Sequence, residues 1–226
     1  RQDKTCRLVV RLLARPRRRV GGRPFLFEIG YGTGALLRHV RERGFDCGGI
    51  EVSTLMAERA RRDLGPERQA DLLVGEPLTT DLSHFEARCS VVYSNDVFEH
   101  FHPDEALDYL RLARRLLAPG GLLVTITPNW HRRPADVTRY FAPPRTPAQG
   151  LHLKEYTLRE ISALLARAGF RRISTPLLVT KKRVVLAGSG LAASKRVFEP
   201  VLEYLPYALT SRLCGCLGLS YTLAEN

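Results

Sequence analysis

Three glycines at alternating positions constrain the fold of this chain more than any other feature. In FEIGYGTGAL (27–36), Gly30, Gly32 and Gly34 follow an apolar run and an acid, Glu28. Glycine adopts backbone conformations that other residues avoid, so the chain turns sharply here and its backbone can approach a ligand closely. The stretch therefore predicts a buried strand, a ligand-binding turn and then a helix. It does not by itself indicate which nucleotide-like ligand is bound.

Short apolar runs alternate with segments of helical periodicity. Strands are predicted at 24–29, 47–51, 70–75, 90–94 and 122–127, and helices up to about residue 43 and at 54–64, 104–117 and 155–170. This alternation is typical of βαβ units and a parallel sheet, in which ligands bind outside the carboxyl ends of the strands.

Two more strand-like segments, 171–180 and 183–188, are joined by a short basic turn. Parallel neighbours need a longer crossover, so one of the two is expected to be antiparallel. The domain boundaries follow from these patterns. We expect a basic helical segment at 1–23, a central domain at 24–188 with an irregular substrate-side loop at 128–153, and a helical tail at 189–226.

The positive charge is concentrated near the N-terminus. The formal net charge is +12, and seven arginines with no acid lie between Asp3 and Glu28. Such a face would suit nucleic acid or an anionic membrane surface. Because only five of the 35 basic residues are lysines, a general arginine bias and a solvated helix explain the pattern without a partner.

The remaining composition favours a cytoplasmic protein. No run of about 18 uncharged apolar residues occurs, so a transmembrane helix is not expected. The five cysteines are scattered, and Cys214 and Cys216 have no second pair with which to complete a zinc site. Free thiols in a reducing compartment are therefore expected.

Two ligand classes fit the glycine turn. Gly30, Gly32 and Ala35 match a relaxed dinucleotide-binding fingerprint. Glu51 follows about 20 residues later, where an acid would bind the ribose. The span 28–34, as E-x-G-x-G-x-G, also resembles the first motif of class I S-adenosylmethionine-dependent methyltransferases. Both ligands contain an adenosine, so the turn alone leaves both classes open.

Later segments agree with the methyltransferase pattern. NDVFEH (95–100) is much like the family's DVLEH stretch after the fourth strand, and 112–129 resembles its next helix and strand. Residues 152–170 resemble the helix before its terminal antiparallel hairpin. A dehydrogenase assignment explains none of these segments. From 24 to 188 the chain is therefore identified as a class I methyltransferase, similar to the ubiquinone-biosynthesis O-methyltransferases.

This resemblance implies an enzyme with an α/β, Rossmann-like three-layer sandwich. Its sheet would be mostly parallel and seven-stranded, with a C-terminal antiparallel hairpin. S-adenosylmethionine is the implied cofactor. The residues that would bind it are Glu28, Gly30, Tyr31, Gly32, Gly34, Glu51, Val52, Glu76, Asn95, Asp96 and Val97. Glu76 stands where the family more often has aspartate, and Tyr31 would pack on the methionine tail.

Methyl transfer from a sulfonium mainly requires alignment, and a hydroxyl acceptor also benefits from a base. The candidate catalytic residues are His100, His131 and His152, with Asp136 or Glu155 as partners. No residue is assigned to a metal. A structural Glu-His pair is the favoured interpretation of 99–100. The alternative, by analogy with the ubiquinone enzymes, is that Asp96, Glu99 and His100 are the ligands of a divalent cation.

The expected acceptor is a small-molecule hydroxyl on a sugar, a lipid-linked compound or a secondary metabolite. Base amines are disfavoured because 95–98 lacks the polar-Pro-Pro-aromatic pattern of the enzymes that methylate them. RNA methylation through the N-terminal arginines and a non-catalytic docking module are the alternatives. The apolar segment 197–219 is expected to pack on the domain, with peripheral membrane contact or a homodimer face as alternatives.

Overall fold

The computed structural model describes residues 4–15, 23–65, 71–186 and 189–226. In its first half the elements are α1 (Lys4–Leu13), β1 (Phe25–Ile29), α2 (Ala35–Arg41), β2 (Asp46–Glu51), α3 (Thr54–Leu64), β3 (Leu72–Val74), β4 (Cys89–Asn95), α4 (Ala106–Leu116) and β5 (Leu117–Ile126). The second half contains α5 (Leu158–Arg167), β6 (Arg172–Ser174), β7 (Pro176–Val179), β8 (Val184–Leu186), α6 (Ser189–Phe198), α7 (Tyr207–Leu217) and β9 (Tyr221–Glu225).

Seven strands form one sheet in the order β3-β2-β1-β4-β5-β9-β6. The first five are parallel neighbours, and β9 runs antiparallel to both β5 and β6. The predicted fold class, a mostly parallel seven-stranded α/β sandwich with an antiparallel hairpin, is confirmed.

The antiparallel strand of this sheet comes from the end of the chain. The sequence analysis placed Tyr221–Glu225 in a helical tail, whereas the structure inserts this segment between β5 and β6. The two strand-like segments at 171–180 and 183–188 instead contain β6 and a separate two-stranded hairpin, β7–β8. Main-chain pairing with strands on both sides explains why a short segment without clear alternation becomes a strand.

Alternation along β1 builds the two halves of the core. Phe25, Phe27 and Ile29 join the cluster that includes residues of α4 and α5, whereas Leu26 joins the cluster that includes residues of α1, α2 and α3. All four side chains are buried, as expected for a central strand covered on both faces. Helices therefore cover both faces of the sheet, which makes the three layers.

Two helices begin at residues whose side chains cap them. The Ser53 hydroxyl accepts a hydrogen bond from the Met56 amide at 3.4 Å and begins α3. The Thr157 hydroxyl accepts from the Glu160 amide at 3.1 Å, and the Glu160 carboxylate accepts from the Thr157 amide at 2.8 Å. This reciprocal pair is a capping box, and it fixes the start of α5 beside the carboxyl ends of the strands.

None of the helices in the described ranges combines the length and the apolar character needed to cross a membrane. The five cysteines all lie within those ranges, and none of them forms a disulfide.

Candidate active site

The turn after β1 needs glycine at two positions for different reasons. Gly30 has φ +74°, and a β-carbon there would lie 2.5 Å from Cγ2 of Val97. Gly32 has φ +52°, and a β-carbon there would meet nothing within 4 Å. Both conformations are left-handed and disfavour side chains. The backbone at Gly30 therefore lies against the segment after β4, and the backbone at Gly32 borders open space.

Glu51, the last residue of β2, fixes this turn. Its Oε2 accepts a hydrogen bond from the Gly32 amide at 2.7 Å, and its Oε1 accepts one from the Ser53 amide at 2.9 Å. A carboxylate has about four lone-pair positions, so two remain for a ligand. The residue that the sequence analysis assigned to a ribose thus also shapes the glycine backbone.

A cleft of about 520 Å³ opens at the carboxyl ends of the first four strands. We refer to it as the glycine-turn cleft. Its lining includes seven of the residues predicted to bind the cofactor: Gly30, Glu51, Val52, Glu76, Asn95, Asp96 and Val97. The sequence analysis missed the apolar lining residues Ile29, Leu78 and Phe101, which lie in the same walls. Their apolar character had no motif to mark it.

The other predicted cofactor residues, which do not line this cleft, are Glu28, Tyr31, Gly32 and Gly34. The side chains of Glu28 and Tyr31 are buried. Burial raises the pKa of Glu28 to about 8, with a further contribution from the Glu51 carboxylate. Oε2 of Glu28 is buried and has no hydrogen-bond partner among the described residues. Tyr31 is also buried, and its hydroxyl donates to the Leu73 carbonyl at 3.0 Å. Tyr31 therefore packs under the turn and does not line the glycine-turn cleft, and its packing on the methionine tail stays a prediction.

These features fit S-adenosylmethionine. The turn offers open space above Gly32, the cleft combines apolar walls with the Glu51 carboxylate, and Glu28 leaves a buried acceptor oxygen unpaired. A buried carboxyl group without a partner is costly to ionise, which is why its pKa is raised, and a cationic group of a ligand would stabilise its ionised form.

A second cleft, of about 510 Å³, adjoins the first. We refer to it as the loop-side cleft, because it lies under the segment that follows β5. Its lining includes Ile126, Thr127, Asn129, Arg132, Pro134, Arg139, Tyr207, Gly215 and Tyr221. Asn95 and Asp96 line both clefts. The two spaces therefore meet at the carboxyl end of β4.

Asp96 is held in an unusual conformation at this meeting point. Its φ is +52°, in the left-handed region, and its amide donates to the Ile126 carbonyl at 2.9 Å. The side-chain amide of Asn95 donates to its Oδ2 at 2.8 Å. A non-glycine residue with this conformation is strained, and such strain is concentrated at functional sites.

His131 does not line either cleft. It is buried, and its Nδ1 lies 2.9 Å from Oε2 of Glu203. The Arg133 guanidinium binds the same carboxylate, and its hydrogen bond is the main cause that lowers the pKa of Glu203 to about 2. The sequence analysis expected His131 to act on the substrate. The structure instead places it in a hydrogen-bonded cluster with Glu203 and Arg133 that joins the loop to the tail.

His100 and His152 lie together beside the glycine-turn cleft. His100 lines that cleft, and its Nδ1 lies 3.0 Å from the Leu151 carbonyl. Nδ1 must donate to this oxygen, so neutral His100 carries its lone pair on Nε2. The ring of His152 packs edge-on against His100 at 5.2 Å, and its Nδ1 lies 2.8 Å from Oε1 of Glu155.

Glu99 joins these histidines in a group that could hold a metal ion. Within the described part of the chain, one ligand atom each from Glu99, His100 and His152 lies within 4.8 Å of the others. Burial raises the pKa of Glu99 to about 7. Its Oε2 accepts from the Thr127 hydroxyl at 2.9 Å. Asp96, which the sequence analysis grouped with Glu99 and His100, is not part of this cluster.

Asp136, the other predicted partner, organises the backbone of the loop. Its carboxylate accepts from the Thr138 amide at 2.9 Å and from the Leu151 amide at 2.8 Å. Hydrogen bonds of this kind, to Thr138 first, lower its pKa to about 2 although its burial acts in the opposite direction. Asp136 therefore holds the loop closed. It accepts a hydrogen bond of 3.5 Å from the His152 backbone amide, whereas the His152 imidazole pairs with Glu155.

Some of the N-terminal arginines lie within the described ranges and others do not. Helix α1 buries Leu8, Val9, Leu12 and Leu13, and the Arg7 guanidinium donates to the Lys182 carbonyl. Arg17, Arg18 and Arg19, on which the proposed basic face partly rests, lie outside the described residues.

Comparison with known proteins places the chain in a family. Residues 1–175 match the family model described as "Methyltransferase domain", and the chain belongs to this family. Together with the fold, this match confirms the recognition as a class I methyltransferase and S-adenosylmethionine as the ligand of the class.

Curated relatives match part of the chain. A carboxy-S-adenosyl-L-methionine synthase of Pseudomonas paraeruginosa is 34% identical over an alignment of 106 residues that covers 44% of this chain and 42% of the relative. The enzyme of the same name from Pseudomonas fluorescens is 35% identical over 100 residues, covering 43% of this chain and 40% of the relative. The matches thus span less than half the length of these relatives.

Solved structures share the fold over nearly the whole chain. A SAM-dependent methyltransferase from Archaeoglobus fulgidus is 17% identical with a TM-score of 0.54, over 98% of this chain and 94% of that one. An S-adenosylmethionine-dependent methyltransferase from Mesorhizobium loti is 18% identical with a TM-score of 0.57, over 97% and 96%. At these identities the likeness shows the fold.

Proposed function

We propose that this protein transfers a methyl group from S-adenosylmethionine to a hydroxyl group of a small molecule. The observation that carries the proposal is the meeting of the two clefts at Asn95 and Asp96. One cleft has the features of a cofactor site, and the other offers a separate space for an acceptor. A donor and an acceptor held on either side of one strand end are aligned by the protein, which is the main requirement of the reaction.

The glycine-turn cleft would hold the cofactor through residues of four strand ends. Glu51 would accept hydrogen bonds from the ribose hydroxyls, and Val52 and Leu78 would flank the adenine. The exposed carboxylate of Glu76 would reach the adenine edge, and Glu28 would receive the cationic amine of the methionine part. When bound, the cofactor supplies a methyl group already activated on a sulfonium.

A carboxylate at the junction suits a hydroxyl acceptor, because a hydroxyl must lose its proton as it is methylated. Asp96 is the described acidic residue that lines both clefts, and it is exposed to them. We assign it to the hydrogen bond with the acceptor hydroxyl. The lone pair of His100 Nε2 is a second proton acceptor beside the glycine-turn cleft.

The size of the loop-side cleft supports a small acceptor. Its volume of about 510 Å³ falls in the ordinary range for small-molecule sites. Its walls combine apolar side chains with hydroxyl, amide and guanidinium groups, which is the mixture that fixes the orientation of a polar metabolite.

The test is a methylation assay with a panel of hydroxylated metabolites, read by S-adenosylhomocysteine release and by product mass. Asp96→Asn should lower kcat by about 10²–10⁴-fold for the best acceptor. Asp104→Asn, at a side chain that is 91% exposed, is the matched control and should retain activity. Methylation of amines in place of hydroxyls, or an Asp96→Asn variant as active as the parent, would contradict the proposal.

A further inference from the structure

Four arginines lie between residues 128 and 153, and two of them are engaged within the protein. The guanidinium of Arg133 binds the Glu203 carboxylate, with Nη2 2.5 Å from Oε1. The guanidinium of Arg145 donates to the main-chain carbonyls of Glu203 and Leu205. These two arginines hold the loop against the C-terminal segment, and neither lines the loop-side cleft.

The other two, Arg132 and Arg139, have a different environment. Both are exposed and line the loop-side cleft together with Lys4. Among the described residues, no carboxylate lies within ion-pair distance of any of these three cations. Arg139 is positioned beside Tyr140, with Nη2 2.7 Å from its hydroxyl and the guanidinium 4.8 Å from its ring centroid. The ring and the hydroxyl of Tyr140 stabilise this charge in part but do not neutralise it as a carboxylate would.

The charge of the cleft is therefore unbalanced. Asp96 is the acidic side chain in its described lining, and it lies at the end shared with the glycine-turn cleft. Three cations face one carboxylate, and concave walls strengthen the field of like charges. Guanidinium groups bind carboxylates and phosphates with paired hydrogen bonds, so two arginines on one wall favour an anion of this shape.

We propose that the acceptor carries a carboxylate or a phosphate group, bound by Arg132 and Arg139 with the help of Lys4, while its hydroxyl faces Asp96. This inference rests on the proposed function, because it identifies the loop-side cleft as the acceptor site. It narrows the acceptor to small hydroxylated anions. It also gives Arg132 and Arg139, the two loop arginines that line the cleft, a role distinct from that of Arg133 and Arg145.

The test compares three probes of similar size: 4-hydroxyphenylacetate, 4-hydroxyphenyl phosphate and the neutral 4-hydroxyphenylacetamide. Binding is measured by calorimetry in the presence of S-adenosylhomocysteine, and methylation in parallel. At least one anionic probe should bind tenfold or more tightly than the amide, and its affinity should fall with salt. The preferred anion then identifies carboxylate or phosphate as the group that is bound.

Variants assign the effect to residues. Arg132→Gln and Arg139→Gln should each reduce the affinity for the preferred anion by about tenfold. The affinities for the amide and for S-adenosylhomocysteine should not change. Arg167→Gln is the matched control, since this exposed arginine lies at the opposite end of α5 from the capping box. Affinity lost equally for the anions and the amide would indicate a structural role for the arginines and overturn the proposal.

The outcomes separate the two proposals. Equal binding of the anions and the amide, or no binding of either anion, would overturn the anionic site. Methylation of the neutral amide alone would also overturn it, while supporting hydroxyl methylation. Anion binding that depends on Arg132 and Arg139, with no methyl transfer to any hydroxyl, would support the anionic site and contradict the proposed function.

Discussion

The Glu51 carboxylate accepts a hydrogen bond of 2.7 Å from the Gly32 amide, and this bond joins the end of β2 to the glycine turn after β1. The same side chain also accepts from the Ser53 amide, which precedes α3. One acid thus holds two loops at the edge of the glycine-turn cleft. Because Glu51 shapes the turn and also lines the cleft, it affects a bound ligand both through the turn's backbone and by direct contact.

Replacing Glu51 should therefore reduce the affinity for the cofactor by more than the loss of a ribose contact alone would. We expect Glu51→Ala to reduce S-adenosylhomocysteine affinity by at least ~1.5–3 kcal/mol, the value of a charge-assisted hydrogen bond, in isothermal calorimetry. Glu58→Ala, an exposed acid on α3, serves as the control and should bind like the parent. If Glu51→Ala binds as tightly as the parent, Glu51 is not part of the site.

Gly30 offers a test of the close approach at the turn. Alanine at Gly30 would place a β-carbon 2.5 Å from Val97, whereas alanine at Gly44, with φ +79°, would meet nothing within 4 Å. Both variants carry the backbone strain of a left-handed side chain, about 1 kcal/mol each. Gly30→Ala should lose further stability in chemical denaturation and lose cofactor binding, while Gly44→Ala binds normally. Equal behaviour of the two variants would show that the contact with Val97 is unimportant.

Because of Glu28, the free energy of unfolding should decrease as the pH rises. Its pKa is raised from 4.5 to about 8, so between these values the folded protein keeps a proton that the unfolded chain releases. The free energy of unfolding should therefore decrease by up to ~1.4 kcal/mol per pH unit across this window because of Glu28. Glu28→Gln should lack this slope in urea denaturation from pH 5 to 8, and Glu58→Gln should keep it. Parallel curves for Glu28→Gln and the parent would place an ionised carboxylate at Glu28.

The capping box gives a prediction for stability alone. Thr157→Ala should lower the free energy of unfolding by ~0.5–2 kcal/mol, because the Glu160 amide loses its acceptor. Thr157→Ser keeps the hydroxyl and should recover most of this loss. Urea denaturation measures both variants. A serine variant as unstable as the alanine variant would mean that the methyl group of Thr157, and not the cap, is what matters.

Local signals in the sequence explain which parts of the fold were predictable. The glycine turn, the strand ends and the capping box of α5 each depend on residues within a few positions of one another, and each has a distinct pattern. Strand β9 has no such local signal. It is stabilised by pairing with β5 and β6, which are distant in the chain.

The tail also supplies contacts that no local pattern shows. The Glu199 carboxylate accepts from the amides of Leu158 and Arg159 at 2.7 and 3.0 Å, at the beginning of α5. Glu203 holds His131 in the same way from a distant position. Histidine in an irregular loop is typical of both substrate walls and structural clusters, so its role depended on a partner about 70 residues away.

The central claim is that FEIGYGTGAL forms the binding turn for S-adenosylmethionine. Calorimetric titration of the purified protein with S-adenosylhomocysteine, and with NAD in parallel, tests it most directly. We expect micromolar binding of S-adenosylhomocysteine and no binding of NAD. Binding of NAD alone would contradict it.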